Sequence, residues 1–464
     1  MDKHQLQFKK MTETPIPKLV VTLAIPMIIS MLASAIYNLA DTYFVSKLGT
    51  SASGAVGVVF SLMAIIQAVG FMLGMGSGAQ ISRLLGQKKN EQANIIAING
   101  LVASLVFGVI IMLVGIRYNA PILRLLGSTD TILPHAEAYA KYIFYAAPFM
   151  AGSFLLNNIL RAQGKASFAM VGITVGGILN IGLDPLLIFV FDMGTGGAAL
   201  ATAISQTISF FVLLIPFIFK KTEIHLSYKY ISVKPIILLR IMKNGLPSFI
   251  RQGFASAATV LLNRQASLYG DSAIAGMSIV MRIVMFIFVL MLGFGQGYQP
   301  VVGYNYGAKI YERVREAFVF TLKAGMAIMA FFATIGFIAA PYIIAFFLPD
   351  DPQVIEIGTV AFRAQCIAML FMPFSTTANM TFQSIGKSWT ATFLSSLRQG
   401  IFFLPLIIIL PEYIGLAGVQ YTQAISDFLT FLVCVPFVWV FFNKLKKREL
   451  YEPKDEVQLD ILTE

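Results

Sequence analysis

Twelve long apolar runs leave this chain few folds to choose from. They lie at roughly residues 19–47, 54–82, 95–116, 137–160, 167–191, 196–219, 241–269, 273–303, 317–340, 354–384, 389–410 and 414–443. Each supplies the ~20 residues a helix needs to cross hydrocarbon. The runs are continuous rather than alternating, which excludes a membrane β-barrel. The expected fold class is therefore an all-α integral membrane protein of twelve transmembrane helices. Composition agrees: 57% of residues are apolar and only 12% charged, whereas soluble domains carry about 25% charge. The net charge of +11 does not indicate nucleic-acid binding, because the basic residues form short clusters between apolar runs.

Those clusters give an orientation. With the loops numbered alternately, 25 of the 34 Lys and Arg fall on one side, among them Lys9, Lys10, Lys88, Lys89, Lys220, Lys221, Lys446 and Lys447. The other side holds Arg117 and Arg124 with Asp130, Asp192, Asp271, Asp350, Asp351 and Glu412. The excess of cations marks the cytoplasmic face, so both termini are expected inside a cell membrane crossed many times. The stretch 1–18 is polar, carries Pro15 and Pro17, and does not read as a cleavable signal. The stretch 444–464 mixes charge signs and reads as disordered. The expected organisation is a tail at 1–18, a lobe at 19–219, a cytoplasmic linker at 220–240, a second lobe at 241–443 and a tail at 444–464.

The two lobes are copies of one another in a nearly constant register. Pro26 pairs with Pro247, Gly49 with Gly270, Gly86 with Gly307, Asn157 with Asn379, Gly164-Lys165 with Gly386-Lys387, and Ala203-Ile-Ser205 with Ala424-Ile-Ser426. The glycine-rich stretches pair as Leu73–Gln80 with Leu292–Gln299. Six helices per copy give both copies the same orientation, so a pseudo-two-fold axis along the membrane normal is expected, as in secondary transporters. The Gly-x-Gly-x-Gly pattern lacks the strand and the following Lys of a nucleotide fingerprint; close helix packing is the better reading.

Charge in mid-membrane costs about 2.5–3.5 kcal/mol on insertion scales and marks functional candidates. Asp41, Asp184 and Asp427 are the acids that fall deep inside runs. Tyr37 and Asp41 are one helical turn apart, as are Asn180 and Asp184, and each pair shares a helix face. Pro185 frees a carbonyl beside Asp184. A carboxylate, an amide oxygen and loose carbonyls suit Na⁺. A desolvated carboxylate also suits a proton. Pro26 is a second candidate hinge, able to bend the first helix and move Asp41, and Met27 a candidate drug contact. In the second lobe Asp427 and Arg282 are the candidate site residues, and Asp427 is expected to pair with one of the arginines Arg251, Arg264, Arg282, Arg363 and Arg398. His4, His135 and His225 are dispersed, and Cys366 and Cys434 sit inside runs. No cofactor or resident metal is expected.

The segment Gly293-x-Gly-x-Gly-x-Gln-Pro-x-x-Gly-Tyr-Asn-Tyr-Gly-Ala308 strongly resembles the multidrug and toxic compound extrusion (MATE) family. Leu23-Ala-Ile-Pro-Met27, Asn38-x-x-Asp41 and Asn180-x-x-x-Asp184-Pro185 resemble its DinF-like prokaryotic branch. The resemblance implies a V-shaped pair of six-helix bundles. It also implies efflux of amphipathic, mostly cationic drugs in exchange for Na⁺ or H⁺. It places the coupling cation at Asp41, Asn180, Asp184 and Thr202, with a neighbouring polar network of Tyr37, Tyr139 and Asn157. Another branch of the family carries acids on its seventh and tenth helices; around Ser248–Phe254 and Phe371–Thr377 this chain has none. The expected partners are small-molecule drugs and the bilayer, with no nucleic acid, and the chain is expected to be monomeric. A lipid-linked oligosaccharide flippase or polysaccharide exporter of the same superfamily is the alternative, which the second-lobe arginines would suit. No HExxH or GxGD motif suggests an enzyme.

Overall fold

The computed structural model describes residues 3–232 and 234–451. A short helix, α1 (Lys3–Glu13), precedes the first apolar helix, α2 (Ile16–Ser46). The first half continues with α3 (Thr50–Gly86), α4 (Asn90–Arg117), the short α5 (Asn119–Leu125), α6 (Leu133–Ala162), α7 (Ala166–Pro185) with a π-helical turn at Leu186–Val190, and α8 (Gly194–Ile218). The second half holds α9 (Pro235–Ser267), α10 (Asp271–Gly307), α11 (Tyr311–Phe347), α12 (Pro352–Met369), α13 (Met372–Ser384), α14 (Ser388–Ser396) with a π-helical segment at Leu397–Phe402, α15 (Phe403–Ile414) and α16 (Leu416–Tyr451).

Among the described residues, ten single helices are long and apolar enough to cross a membrane, and α12 with α13 makes one further span bent by 52°. The twelfth expected span is α9, whose Arg240, Lys243, Arg251 and Arg264 make it the most polar of the long helices. The bend follows from Pro373, which has no N–H to give back to the last turn of α12. Residues 3–13 of the expected N-terminal tail form a helix, and one expectation needs revision: α16 carries on through residues 444–451, where disorder was expected. The remaining part of the expected disordered tail, 452–464, lies outside the described residues.

The repeat is written in the backbone torsions. Gly49 and Gly270 precede α3 and α10 with φ of 108° and 95°, and Gly164 and Gly386 turn the chain at 74° and 83°. Lys88 and Lys309 both sit at 59°. A side chain at the glycine positions would be strained, since only glycine adopts such angles freely. The structure also corrects the expected glycine register. Gly76 of α3 lies against Ile241 and Gly245 of α9, while Gly297 of α10 lies against Leu23 and Ala24 of α2. Gly76 therefore answers Gly297 and not Gly295, in the same register that pairs Pro26 with Pro247. A glycine at every second position makes such a slip invisible to the sequence.

These crossings hold the halves together. A Cβ on Gly76, Gly245, Gly86 or Gly307 would collide with the facing backbone, so the helices approach as closely as helices can. All four belong to the ends of α3, α9 and α10 nearest the basic loops. One apolar core there mixes both halves, from Leu19 and Leu73 to Tyr298 and Val302. Towards the other end the core divides into one cluster per half, and Gly57 and Gly253 meet nothing within 4 Å. The molecule is thus a V, closed at the basic end. Helix α1 straps that end. His4 Nδ1 stands 2.8 Å from Glu223, Gln7 donates to the Gln163 carbonyl, and the Met11 and Thr14 carbonyls accept from Asn305 and Arg313 of the second half. Glu223 is buried and was not legible as such inside the linker.

Candidate functional site

The acids of the first half sit beyond the closed end, in the arm of the V. Asp41 lies in the last turns of α2 and Asp184 at the end of α7. Both are buried, at 3% and 0% exposure. The Tyr139 hydroxyl, from α6, donates to Asp41 Oδ2 at 3.2 Å. Asn180 Nδ2 donates to Asp184 Oδ1 and to Thr202 Oγ1, each at 3.2 Å. The one-turn spacing of Asn180 and Asp184 is what lets one amide reach the carboxylate on its own face. Tyr139 lies within electrostatic reach of both acids and beside Thr202. Asp41, Asn180, Asp184, Thr202 and Tyr139 are thus brought together from four helices.

What this cluster lacks decides its chemistry. Asp41 Oδ1, Asp184 Oδ2, Asn180 Oδ1 and Ser205 Oγ are all buried without a hydrogen-bond partner. No Lys, Arg or His among the described residues pairs with either acid. A buried carboxylate without a counter-charge is costly and takes up either a cation or a proton. Two carboxylate oxygens, an amide oxygen and a hydroxyl are hard oxygen donors of the kind Na⁺ prefers. Among the described residues there is no group of three or more His, Cys, Asp or Glu, so a tightly held transition metal does not fit. Ser205 was missed in the sequence, although it follows Thr202 by one helical turn.

Of the other expected residues, Tyr37 stays beside the cluster: it lies within electrostatic reach of Asp41, one turn away, and packs its ring on Gly177 of α7. Asn157 donates to the Ala169 carbonyl at 3.1 Å, and its counterpart Asn379 donates to the Ala391 carbonyl at 2.7 Å. The same tie recurs in both halves and fixes one N–H of each amide to a backbone carbonyl. Met27 is buried in the shared core at the closed end. Pro26 is buried beside it, and its own carbonyl accepts from Ser30. Pro185 leads directly into the π-helical turn at 186–190.

In the second half Asp427 is 2% exposed and fully engaged. Its Oδ1 takes Arg398 Nε at 2.5 Å and Gln423 Nε2 at 3.1 Å, and its Oδ2 takes Gln365 Nε2 at 2.7 Å. The arginine that meets Asp427 is Arg398, which the π-helical segment turns inward over the Phe288 ring, while the candidate Arg282 lies exposed on α10. Arg264 and Arg363 are also exposed, and Arg251 is half-buried.

Comparison with known proteins points one way. The MatE family matches twice, at residues 26–186 and 247–409, and the two matches begin at the paired prolines Pro26 and Pro247. The multidrug export protein MepA of Staphylococcus saprophyticus is 29% identical over 432 residues, covering 92% of this chain and 95% of that protein. A crystal structure of a MATE protein in complex with MaL6 superposes with a TM-score of 0.90 at 27% identity, covering 96% of this chain and all of the other. An outward-facing multidrug resistance MATE transporter of the MOP superfamily gives 0.89 at 27% identity over 96% of this chain and 99% of that one.

Proposed function

The chain belongs to the MatE family, and from that membership we propose that it exports amphipathic, mostly cationic compounds across a cell membrane in exchange for Na⁺ or H⁺. It is a multi-pass membrane transporter and not an enzyme. The observation that carries the coupling is the pair of buried acids, Asp41 and Asp184, whose unpartnered oxygens meet no Lys, Arg or His among the described residues. The named relatives, a multidrug export protein and a multidrug resistance transporter, support the substrate class.

The cycle follows from linkage. A ligand shifts a conformational equilibrium only by its differential affinity for the two states. A cation on Asp41 and Asp184 neutralises the charge that a cationic drug would seek, so ion and drug displace one another. With the basic end taken as cytoplasmic on the positive-inside rule, the V opens outward. Drug leaves from this state and the ion enters. Neutralising the acids lowers the cost of burying them and favours the return. Pro26, within α2 on the way from the seam to Asp41, allows that helix to bend.

The test is ethidium efflux from proteoliposomes under an imposed Na⁺ gradient or an imposed pH gradient. One of the two is expected to drive efflux, and Asp184→Asn to abolish it. Failure of both gradients to move ethidium through folded protein would overturn the reading and turn attention to lipid-linked cargo.

A further inference from the structure

Arg161, at the basic end of α6, is 4% exposed and crosses the seam between the halves. Its Nη1 donates to Gln296 Oε1 of α10 at 2.8 Å, and its Nη2 reaches Gln299 Oε1 at 3.5 Å and Met75 Sδ at 3.6 Å. Every acceptor is neutral. Among the described residues its buried Nε has no partner, and no other charged side chain acts on it. Arg83 of α3 brings a second cation to the same seam, packed against Gly386 of the other half, and it too has no ion pair among the described residues. A buried charge without a counter-charge is costly and is rarely left so.

Beside Arg161 the seam holds a hollow of about 20 Å³, lined by Ser82, Asn158, Arg161, Gln299 and Ser384 among others, with no acidic residue in its wall. That volume admits one water-sized particle, and a monatomic anion fits. In the register that pairs Asn157 with Asn379, the equivalent of Arg161 in the second half is Gln383, which bonds to Asn244, Ser248 and Gln299. The fold therefore accommodates a neutral amide at this place, and the charge in the first half is not required for packing.

We propose that the hollow at Arg161 binds one halide ion, chloride in the cell, as the counter-ion of the closed seam. The ion sits between a guanidinium of one half and glutamines of the other. It is held while the seam is shut and released when the halves part at that end. This goes beyond cation-coupled export and stands whether the coupling ion is Na⁺ or H⁺.

Two measurements on the full chain test it. Crystals grown in bromide are expected to show an anomalous peak within hydrogen-bonding distance of the Arg161 guanidinium. The thermal unfolding midpoint is expected to rise as chloride replaces gluconate at constant ionic strength, to stay level when phosphate replaces it, and to lose its chloride dependence in Arg161→Gln. Absence of the bromide peak would overturn the proposal, and so would an equal response to phosphate or a chloride dependence unchanged in Arg161→Gln. The bromide experiment uses the unaltered protein and so remains decisive if the variant fails to fold.

Discussion

Asp41 and Asp184 in the first half and Asp427 in the second are buried alike, yet they are held in opposite ways. The first two keep buried oxygens without partners, whereas Asp427 accepts from Arg398, Gln365 and Gln423. The two clusters occupy matching places in the repeat. In the register that pairs Pro26 with Pro247, Gln423 answers Thr202 and Ser426 answers Ser205. Where Ser205 has a free hydroxyl, Ser426 donates to the Arg398 carbonyl. The second half thus carries its cation covalently, as a guanidinium, at the level where the proposed function puts an exchangeable one in the first half. On that proposal a duplicated fold gains direction: one copy serves as the exchangeable site and the other as a fixed one.

The largest effect expected from breaking that contrast is on transport. Asp41→Asn or Asp184→Asn is expected to lower gradient-driven ethidium efflux by roughly two orders of magnitude, the upper range of typical coupling energies, measured in proteoliposomes. The next is on stability. Arg398→Met leaves Asp427 buried without its counter-charge, and breaking a buried pair in this way costs about 3–5 kcal/mol. Chemical denaturation of the single variant is expected to show the low end of that range, because Gln365 and Gln423 still donate. The double variant Arg398→Met/Asp427→Leu is expected to recover most of the loss and to keep its transport.

Smaller effects separate the seam from the open arms. Gly76→Ala and Gly245→Ala place a methyl against facing backbone and are expected to cost about 1–3 kcal/mol as overpacking. Gly57→Ala and Gly253→Ala meet nothing within 4 Å and are expected to gain about 0.5–1 kcal/mol of helix stability. The smallest effect concerns the twin asparagines. Asn157→Ala and Asn379→Ala each remove a bond to a backbone carbonyl and are expected to cost alike, about 1 kcal/mol, with efflux retained in both. Loss of efflux in Asn157→Ala alone would assign that residue to the polar network that serves transport.

Much of this was legible in the sequence because hydropathy and the repeat are local signals. Span length follows from run length, and even the polar α9 could be read as a span because Pro247 answers Pro26. The acids stood out because apolar surroundings make any charge conspicuous. What escaped reading depends on tertiary placement. Which arginine meets Asp427 is decided by the π-helical segment at 397–402, which periodicity does not reveal. The slip in the glycine register is hidden by the alternation of the motif itself. Residues 3–13 look like a polar tail until Met11 and Gln7 are seen buried against both halves. The bend between α12 and α13 did have a signal, in Pro373.

The central claim, that the exchangeable ion belongs to the first half alone, is tested most directly by adding ethidium to purified protein in weakly buffered solution while following proton release and displacement of radiolabelled Na⁺. One of the two ions is expected to leave both the wild type and Arg398→Met/Asp427→Leu, and neither to leave Asp41→Asn/Asp184→Asn. Ion release that persists without Asp41 and Asp184, or that vanishes with the Arg398–Asp427 pair, would contradict the account.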